Sequence, residues 1–132
     1  MERYLLVALG GAIGTVGRYW LSGVVAQTVG ETFPWGTLLI NVTGSFVIGF
    51  FGTLTGPDGR IFASANTRQF VMTGICGGYT TFSSFSLQTL NLMNDGQTLY
   101  AGSYIVLSVT LCLIGVWLGV ALASMLNAMQ GA

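Results

Sequence analysis

The residues of this sequence that could do chemistry are neutral hydrogen-bond donors inside strongly apolar runs. Asn41 lies in the middle of one run, and a cluster rich in hydroxyl groups, residues 80–86, lies in another. Tyr104 and Ser108 are one helical turn apart in a further run, and Cys112 follows one turn later. Residues spaced by four share one face of a helix. Together these side chains would offer several hydrogen atoms to a dehydrated ligand without presenting a fixed charge.

Neutral hydrogen-bond donors, with no Lys or Arg among them, suit the conduction of an anion. An anion stripped of water needs hydrogen atoms pointed at it, whereas a Lys or Arg in its path would hold it too strongly for rapid conduction. Phe82 and Phe85 are three residues apart and therefore face the same way. Packing or contact with lipid is one interpretation of these rings, but the positive edge of an aromatic ring can also face an anion. A single Ser or Thr usually bonds back to its own helix, so the cluster carries the inference.

The segments from which charged residues are absent exclude some classes of function. Charged residues make up 6% of the 132-residue chain, and four acids balance four arginines to give no net charge. No acid falls within an apolar run. Proton-coupled antiporters and rotor subunits need an intramembrane carboxylate, so this absence argues against both. The chain also has no basic cluster, and we expect no nucleic-acid partner.

The elements that carry these residues are predicted to be transmembrane helices. Hydrophobic residues form 52% of the chain, whereas a typical soluble domain is about 25% charged. A membrane-spanning helix needs roughly 20 apolar residues. The runs predict four spans, at about residues 4–26, 35–54, 69–92 and 101–126. We therefore expect an all-α membrane protein with one four-helix domain, residues 1–132.

The third predicted span contains an interruption. Its middle, residues 77–86, reads GGYTTFSSFS, and paired glycines followed by hydroxyl residues are poor helix formers. Backbone freed from helical hydrogen bonding at membrane depth is tolerated only where protein or a watery cavity satisfies it. We predict a break at residues 77–81, and breaks of this kind are where transporters place ion sites.

Other small residues in the runs have a packing interpretation. Both cysteines, Cys76 and Cys112, are interpreted as small buried hydrophobic residues. Glycines four apart allow helix backbones to approach closely in lipid. Pairs with this spacing include Gly10 and Gly14, Gly52 and Gly56, and Gly115 and Gly119.

The arginines indicate an orientation in the membrane. Arg3, Arg60 and Arg68 flank spans on the side shared by the N-terminus, and the opposite loops have no arginine. The positive-inside rule then predicts a cytoplasmic N-terminus. Arg18 is the only charged residue inside a predicted span, and snorkelling to the interface is one interpretation of it.

Three motifs, in order along the chain, resemble those of the small bacterial fluoride channels, the Fluc or CrcB family. Residues 10–19 (GGAIGTVGRY), 34–44 (PWGTLLINVTG) and 77–86 resemble the patterns of the family's first three helices. The resemblance implies an antiparallel, dual-topology homodimer with two narrow pores along the subunit interface. It also implies passive fluoride efflux across the bacterial inner membrane, with membrane lipid around the dimer, and no enzymatic activity.

The resemblance assigns roles to individual residues. Gly77 and Thr80 match positions whose backbone carbonyls bind a structural Na⁺ at the dimer centre, and Arg18 matches an arginine near a pore vestibule. The remaining matched residues would line the fluoride pore: Asn41, Thr81, Phe82, Ser83, Ser84, Phe85, Tyr104 and Ser108.

The chain departs from the family pattern in three ways. Gln88 stands where the family often has an acid, and Cys112 replaces what is commonly a hydroxyl residue. A thiol is only a weak donor, so the polar track is weaker at that end. The one-sided arginines are also unexpected in a subunit that must insert both ways.

Two other functions remain open. A small four-helix, proton-coupled exporter of the multidrug-resistance type would require an intramembrane carboxylate. A non-transporting assembly subunit held together by glycine packing would tolerate changes at Asn41, Phe82 and Phe85.

Overall fold

The computed structural model describes residues 1–129, in which all regular secondary structure is helical. The predicted domain, residues 1–132, extends into residues 130–132, which lie outside the described part. In chain order the elements are α1 (Glu2–Val29), α2 (Trp35–Leu54), α3 (Ala65–Arg68), the π-helix π1 (Gln69–Cys76), α4 (Gly77–Tyr79), α5 (Phe82–Asn94) and α6 (Thr98–Ala128). Three of these, α1, α2 and α6, are long and apolar enough to cross a membrane. The all-helical prediction is confirmed.

The region of the third predicted span consists of several shorter elements. Ser64 caps the start of α3, where its Oγ accepts the Thr67 N–H at 3.1 Å. The chain then runs through π1 and α4 before Thr80 and Thr81 adopt extended backbone, with ψ angles of 155° and 111°. The next helix, α5, begins at Phe82. Extended backbone is therefore limited to two threonines at the end of the range predicted for the break.

The glycine pair of this region is helical, contrary to the prediction that it lies in non-helical backbone. Gly77 and Gly78 belong to α4, and their cost of roughly 1 kcal/mol each in a helix is moderate. A Cβ on Gly78 would lie 2.5 Å from the Gly11 carbonyl oxygen. Gly78 is therefore required for the close approach of α4 to α1.

Two of the three glycine pairs named above join helices as predicted. In the first pair, a Cβ on Gly10 would lie 2.5 Å from the Phe70 carbonyl oxygen of π1. In the last pair, a Cβ on Gly115 would lie 3.0 Å from the Val42 carbonyl oxygen of α2. These contacts draw α1 against π1, and α6 against α2, as small residues do in membrane helices.

The prediction is wrong for the middle pair. Gly52 faces only the Met72 side chain within 4 Å, and Gly56 faces only carbonyl oxygens of its own segment. The reason is that α2 ends at Leu54, so Gly56 lies in the following turn, where a Cβ would meet no other helix of residues 1–129 within 4 Å.

One end of the helices is held by arginine and asparagine side chains. Arg68 Nη1 donates to the Gly52 carbonyl at 3.1 Å and to Thr55 Oγ1 at 2.5 Å. A cation there offsets the negative end of the α2 dipole. The Arg60 N–H donates to Asn127 Oδ1 at 2.9 Å, which ties the loop after α2 to the end of α6.

Candidate functional site

The two extended threonines are held by a side chain of α2. The Thr81 N–H donates to Asn41 Oδ1 at 2.7 Å, and Asn41 Nδ2 donates to the Thr81 carbonyl at 3.0 Å. This amide therefore satisfies the main chain of Thr81 where helical bonding stops. An amide nitrogen carries two hydrogens, so Asn41 Nδ2 keeps a second N–H beyond the one given to Thr81.

Arg18 supports the same segment from α1. Its Nε donates to the Gly78 carbonyl at 3.1 Å, and Thr15 Oγ1 approaches that oxygen at 3.4 Å. In an unbroken helix the Gly78 carbonyl would accept from the residue four positions later. The half-buried Arg18 side chain thus replaces a helical partner, instead of only reaching for the interface.

Two further carbonyl groups of this segment have no such replacement. Thr81 gives its N–H to Asn41, so the Gly77 carbonyl loses its helical donor. Among the described residues, no hydrogen bond reaches the carbonyl oxygen of Gly77 or Thr80. Both oxygens remain free to accept from, or coordinate, a group outside this segment.

The hydroxyl groups at the start of α5 form a small cluster. Thr81 caps the helix by accepting the Ser84 N–H at 3.2 Å, and its hydroxyl also donates to Ser84 Oγ at 3.1 Å. The hydroxyl oxygen of Ser83 lies 3.3 Å from that of Thr81. Ser86, in contrast, donates back to the Phe82 carbonyl of its own helix. The structure therefore brings Thr81, Ser83 and Ser84 together.

Aromatic rings continue from this cluster towards α6. The ring centroids of Phe82 and Phe85 are 5.4 Å apart, and Phe85 stacks on Tyr104 at 5.0 Å. Tyr104 is completely buried, whereas Phe82 is 77% exposed. The Tyr104 hydroxyl donates to Gln88 Oε1 at 2.8 Å. In the sequence, Gln88 stands out only as a departure from the family pattern. Its pairing with Tyr104 was not predicted.

A cavity of about 390 Å³ joins most of the predicted site. We call it the central cavity; of the predicted residues, it is lined by Asn41, Gly77, Thr80, Thr81, Phe82, Phe85 and Ser108. The other predicted residues, Arg18, Ser83, Ser84 and Tyr104, are not among its lining residues. Ser45, which the sequence did not single out, also lines it, but its hydroxyl donates to the Asn41 carbonyl at 2.7 Å.

One hydroxyl in the central cavity has no partner. Ser108 is 6% exposed, and its Oγ is a buried side-chain oxygen without a hydrogen-bond partner within the described residues. Leaving a buried polar group unsatisfied costs about 1–3 kcal/mol. The Ser108 hydroxyl is therefore available to a ligand in the cavity.

A second cavity, of about 320 Å³, lies where the loop after α1 meets the end of α5. We call it the end cavity; Gln88 lines it together with the polar residues Glu31, Asn91 and Asp95. Tyr104 contacts Phe85 of the central cavity and Gln88 of the end cavity. The end cavity was not predicted, although its two acids, Glu31 and Asp95, come from loops expected on the same side of the membrane.

The chemistry available at this site is hydrogen bonding. The lining of the central cavity contains amide, hydroxyl, thiol and aromatic groups and no charged side chain. Across residues 1–129, no group of three or more His, Cys, Asp or Glu side chains could hold a metal ion. An uncharged lining with free hydrogen-bond donors suits the binding of an anion better than proton transfer or nucleophilic attack.

Comparison with known proteins agrees with this chemistry. Residues 5–120 match the profile of the family described as CrcB-like protein, Camphor Resistance (CrcB). A protein of Rhodospirillum rubrum named fluoride-specific ion channel FluC is 63% identical, over 94% of this chain and 96% of its own. Proteins of the same name from Opitutus terrae and Methylocella silvestris are 62% and 57% identical, over 99% and 98% of both chains. This chain is thus a multi-pass membrane protein that belongs to the CrcB family.

Proposed function

We propose that this protein is a fluoride-selective ion channel, not an enzyme, and that it lets F⁻ leave the bacterial cytoplasm passively across the inner membrane. The observation that carries the proposal is the unpartnered Ser108 hydroxyl, buried in a cavity lined by neutral donors. The curated relatives named fluoride-specific ion channel support the choice of ion.

The proposed selectivity follows from the size of the ion and the spacing of its donors. Fluoride is small and hard, so losing its water has to be offset by several close hydrogen atoms. Ser108 can donate one, the second N–H of Asn41 another, and the ring edges of Phe82 and Phe85 add positive potential. Chloride is larger and needs a wider pathway than these groups would leave.

The proposed pathway continues from the central cavity to the end cavity past Tyr104. Its buried hydroxyl is bound to Gln88, so a passing ion would replace Gln88 as the acceptor of the Tyr104 O–H. The hydroxyl cluster of Thr81, Ser83 and Ser84 lies beside the first part of the route. Arg18 adds positive potential near a vestibule without entering the central cavity.

We infer that a second copy completes each pore in an antiparallel homodimer. Phe82 is 77% exposed although it lines the central cavity, and Val109 and Leu113 of α6 continue the same apolar lining. A pore ring open to lipid could not guide an ion, whereas a facing copy would enclose it. If the chain inserts in both orientations, the placement of Arg3, Arg60 and Arg68 on one side does not set its topology.

A structural Na⁺ is a further part of the proposal. The carbonyl oxygens of Gly77 and Thr80 have no hydrogen bond among the described residues, and both residues line the central cavity. Oxygen ligands of this kind suit a hard cation. One chain supplies too few ligands for a closed shell, so the carbonyl groups of both copies would hold the ion and fix the subunits together.

The proton-coupled exporter is the alternative that a transport assay separates from the channel. Liposomes containing the protein are loaded with potassium fluoride and diluted into fluoride-free buffer, and external fluoride is followed with an electrode. Passive conduction of a charged ion predicts little release until valinomycin lets K⁺ follow. Release driven by a pH gradient without valinomycin would support the exporter instead.

A further inference from the structure

The central cavity contains sulfur atoms to which the proposed function gives no role. Met72 and Cys76 lie one turn apart on π1, and Cys112 lies on α6; all three line this cavity. Both cysteines are free thiols, Cys76 buried and Cys112 half-buried. Two thiols and a thioether around one cavity form a donor set typical of sites for soft metals.

A second feature of the same cavity, the hydroxyl already assigned to fluoride, leaves a polar group open to a ligand. The Ser108 hydroxyl, one helical turn before Cys112, is 6% exposed and has no hydrogen-bond partner among residues 1–129. The space beside it, about 390 Å³ in total, is large enough for a metal ion and its ligands. The cavity therefore has room for a ligand and contains an unpaired hydroxyl one helical turn from the Cys112 thiol.

We propose that Cys76 and Cys112 of one chain form a binding site for a soft, thiophilic metal ion such as Hg²⁺, and that the bound metal blocks the ion pathway. The site itself depends only on the placement of the two thiols. The blocking effect rests on the proposed function, because it requires that ions pass through the central cavity.

The charge balance of this reaction suits the cavity. When HgCl₂ meets the two thiols, two S–Hg bonds form and two Hg–Cl bonds break, and two protons and two chloride ions leave to water. No oxidation or reduction takes place, and the product, a mercury bis-thiolate, is neutral. A neutral complex suits a lining without charged side chains, where an uncompensated charge would be costly.

Hard and soft cations would use different atoms of this cavity. The carbonyl oxygens of Gly77 and Thr80 suit a hard cation such as Na⁺, whereas thiolates select soft metals. Mercury is therefore expected to bind without competition from Na⁺. Raising the sodium concentration should leave the mercury occupancy unchanged.

Binding is tested on the purified full-length protein, without reference to transport. The protein is treated with HgCl₂, washed with a competing monothiol and weighed by mass spectrometry. We expect one mercury per chain, two protons lost, and retention to a thiol concentration about 100-fold above that which strips C112S, because a second thiolate on the same chain raises the effective concentration. C76S and C76A should resemble C112S, and C76A serves if serine does not fold at this buried position.

Two outcomes of the binding experiment would overturn the site. Equal retention by wild type and C112S would mean that the two thiols do not act together. A mercury-linked pair of chains, seen at twice the chain mass, would mean that thiols of different copies are joined and that no site exists within one chain.

Flux measurements test the block separately. Fluoride release from liposomes is measured for each variant before and after HgCl₂, and each variant is compared with its own untreated rate. Wild type should lose its flux and regain it with a dithiol, whereas the double variant C76A/C112S should be insensitive. Bound mercury with unchanged flux would overturn the block. Mercury binding by a protein that never conducts fluoride would instead refute the proposed function and leave the site standing.

Discussion

The side-chain amide of Asn41 takes the place of the helical partners that the main chain of Thr81 lacks. Asn41 Oδ1 accepts from the Thr81 N–H at 2.7 Å, and Asn41 Nδ2 donates to the Thr81 carbonyl at 3.0 Å. The pairing joins α2 to the start of α5 across 40 positions of sequence. Asn41 therefore positions the hydroxyl and phenylalanine residues that follow Thr81, besides offering its own second N–H.

Asn41→Asp should disrupt this pairing and reduce fluoride flux. Aspartate can still accept from the Thr81 N–H, but it cannot donate to the Thr81 carbonyl, and its negative charge would repel an entering anion. Losing one hydrogen bond to a charged ligand costs about 1.5–3 kcal/mol. We therefore expect fluoride flux in liposomes to fall about 10- to 100-fold. Asn94→Asp, an exposed change at the end of α5, is the matched control. Equal flux in the two variants would contradict the role of Asn41.

Ser108→Ala should lower fluoride flux without lowering the stability of the protein. The Ser108 hydroxyl has no partner among the described residues, so removing it takes away an unsatisfied polar group and should leave the melting temperature unchanged or raised. Fluoride flux should nevertheless fall about 10- to 100-fold, because the ion loses a donor. In Ser86→Ala, which removes a hydroxyl bonded back to Phe82, flux should persist. A Ser108→Ala channel with full flux would show that this hydroxyl does not contact the ion.

Tyr104→Phe should remove the hydrogen bond that connects the linings of the two cavities and so lower stability. The change keeps the ring stacked on Phe85 but removes the hydrogen bond to Gln88, which is worth about 0.5–1.5 kcal/mol of unfolding free energy. Gln88→Leu removes the same bond from the other side, so the effects of the two changes on stability should not add. Additive losses in a double-mutant cycle would mean that the pair is not coupled. Tyr100→Phe, at a partly exposed ring near Phe33, is the control.

Arg18→Met should weaken the segment that carries the site. It leaves the Gly78 carbonyl without the charged donor bound at 3.1 Å, and such bonds contribute about 1.5–3 kcal/mol. We expect a lower melting temperature in detergent, with a smaller change for Thr15→Val, whose hydroxyl lies at 3.4 Å. If Arg18 only reached for the membrane interface, Arg18→Met would melt like wild type.

The sequence predicts local features of this chain well. The bounds of α2 are those expected from Trp35 after a proline and from the turn that follows Leu54. The all-helical class and the family also follow from apolar runs and ordered motifs. Such features depend on neighbouring residues, so a single sequence contains their signal.

Long-range relationships were not predictable in the same way. Gly78 looks like a helix breaker until its contact with Gly11, in another helix, is known. The partners of Thr81 and Tyr104, Asn41 and Gln88, lie far away in sequence or carry no pattern of their own. The roles assigned to the site residues remain predictions, since the geometry gives their neighbours and only transport tests their function.

The most direct test of the channel proposal is the release of fluoride and chloride from the same liposomes. The vesicles contain both potassium salts, valinomycin is added, and each anion is followed with its own electrode. The account predicts rapid release of fluoride while chloride stays inside. Release of both anions at equal rates, or of neither, would contradict it.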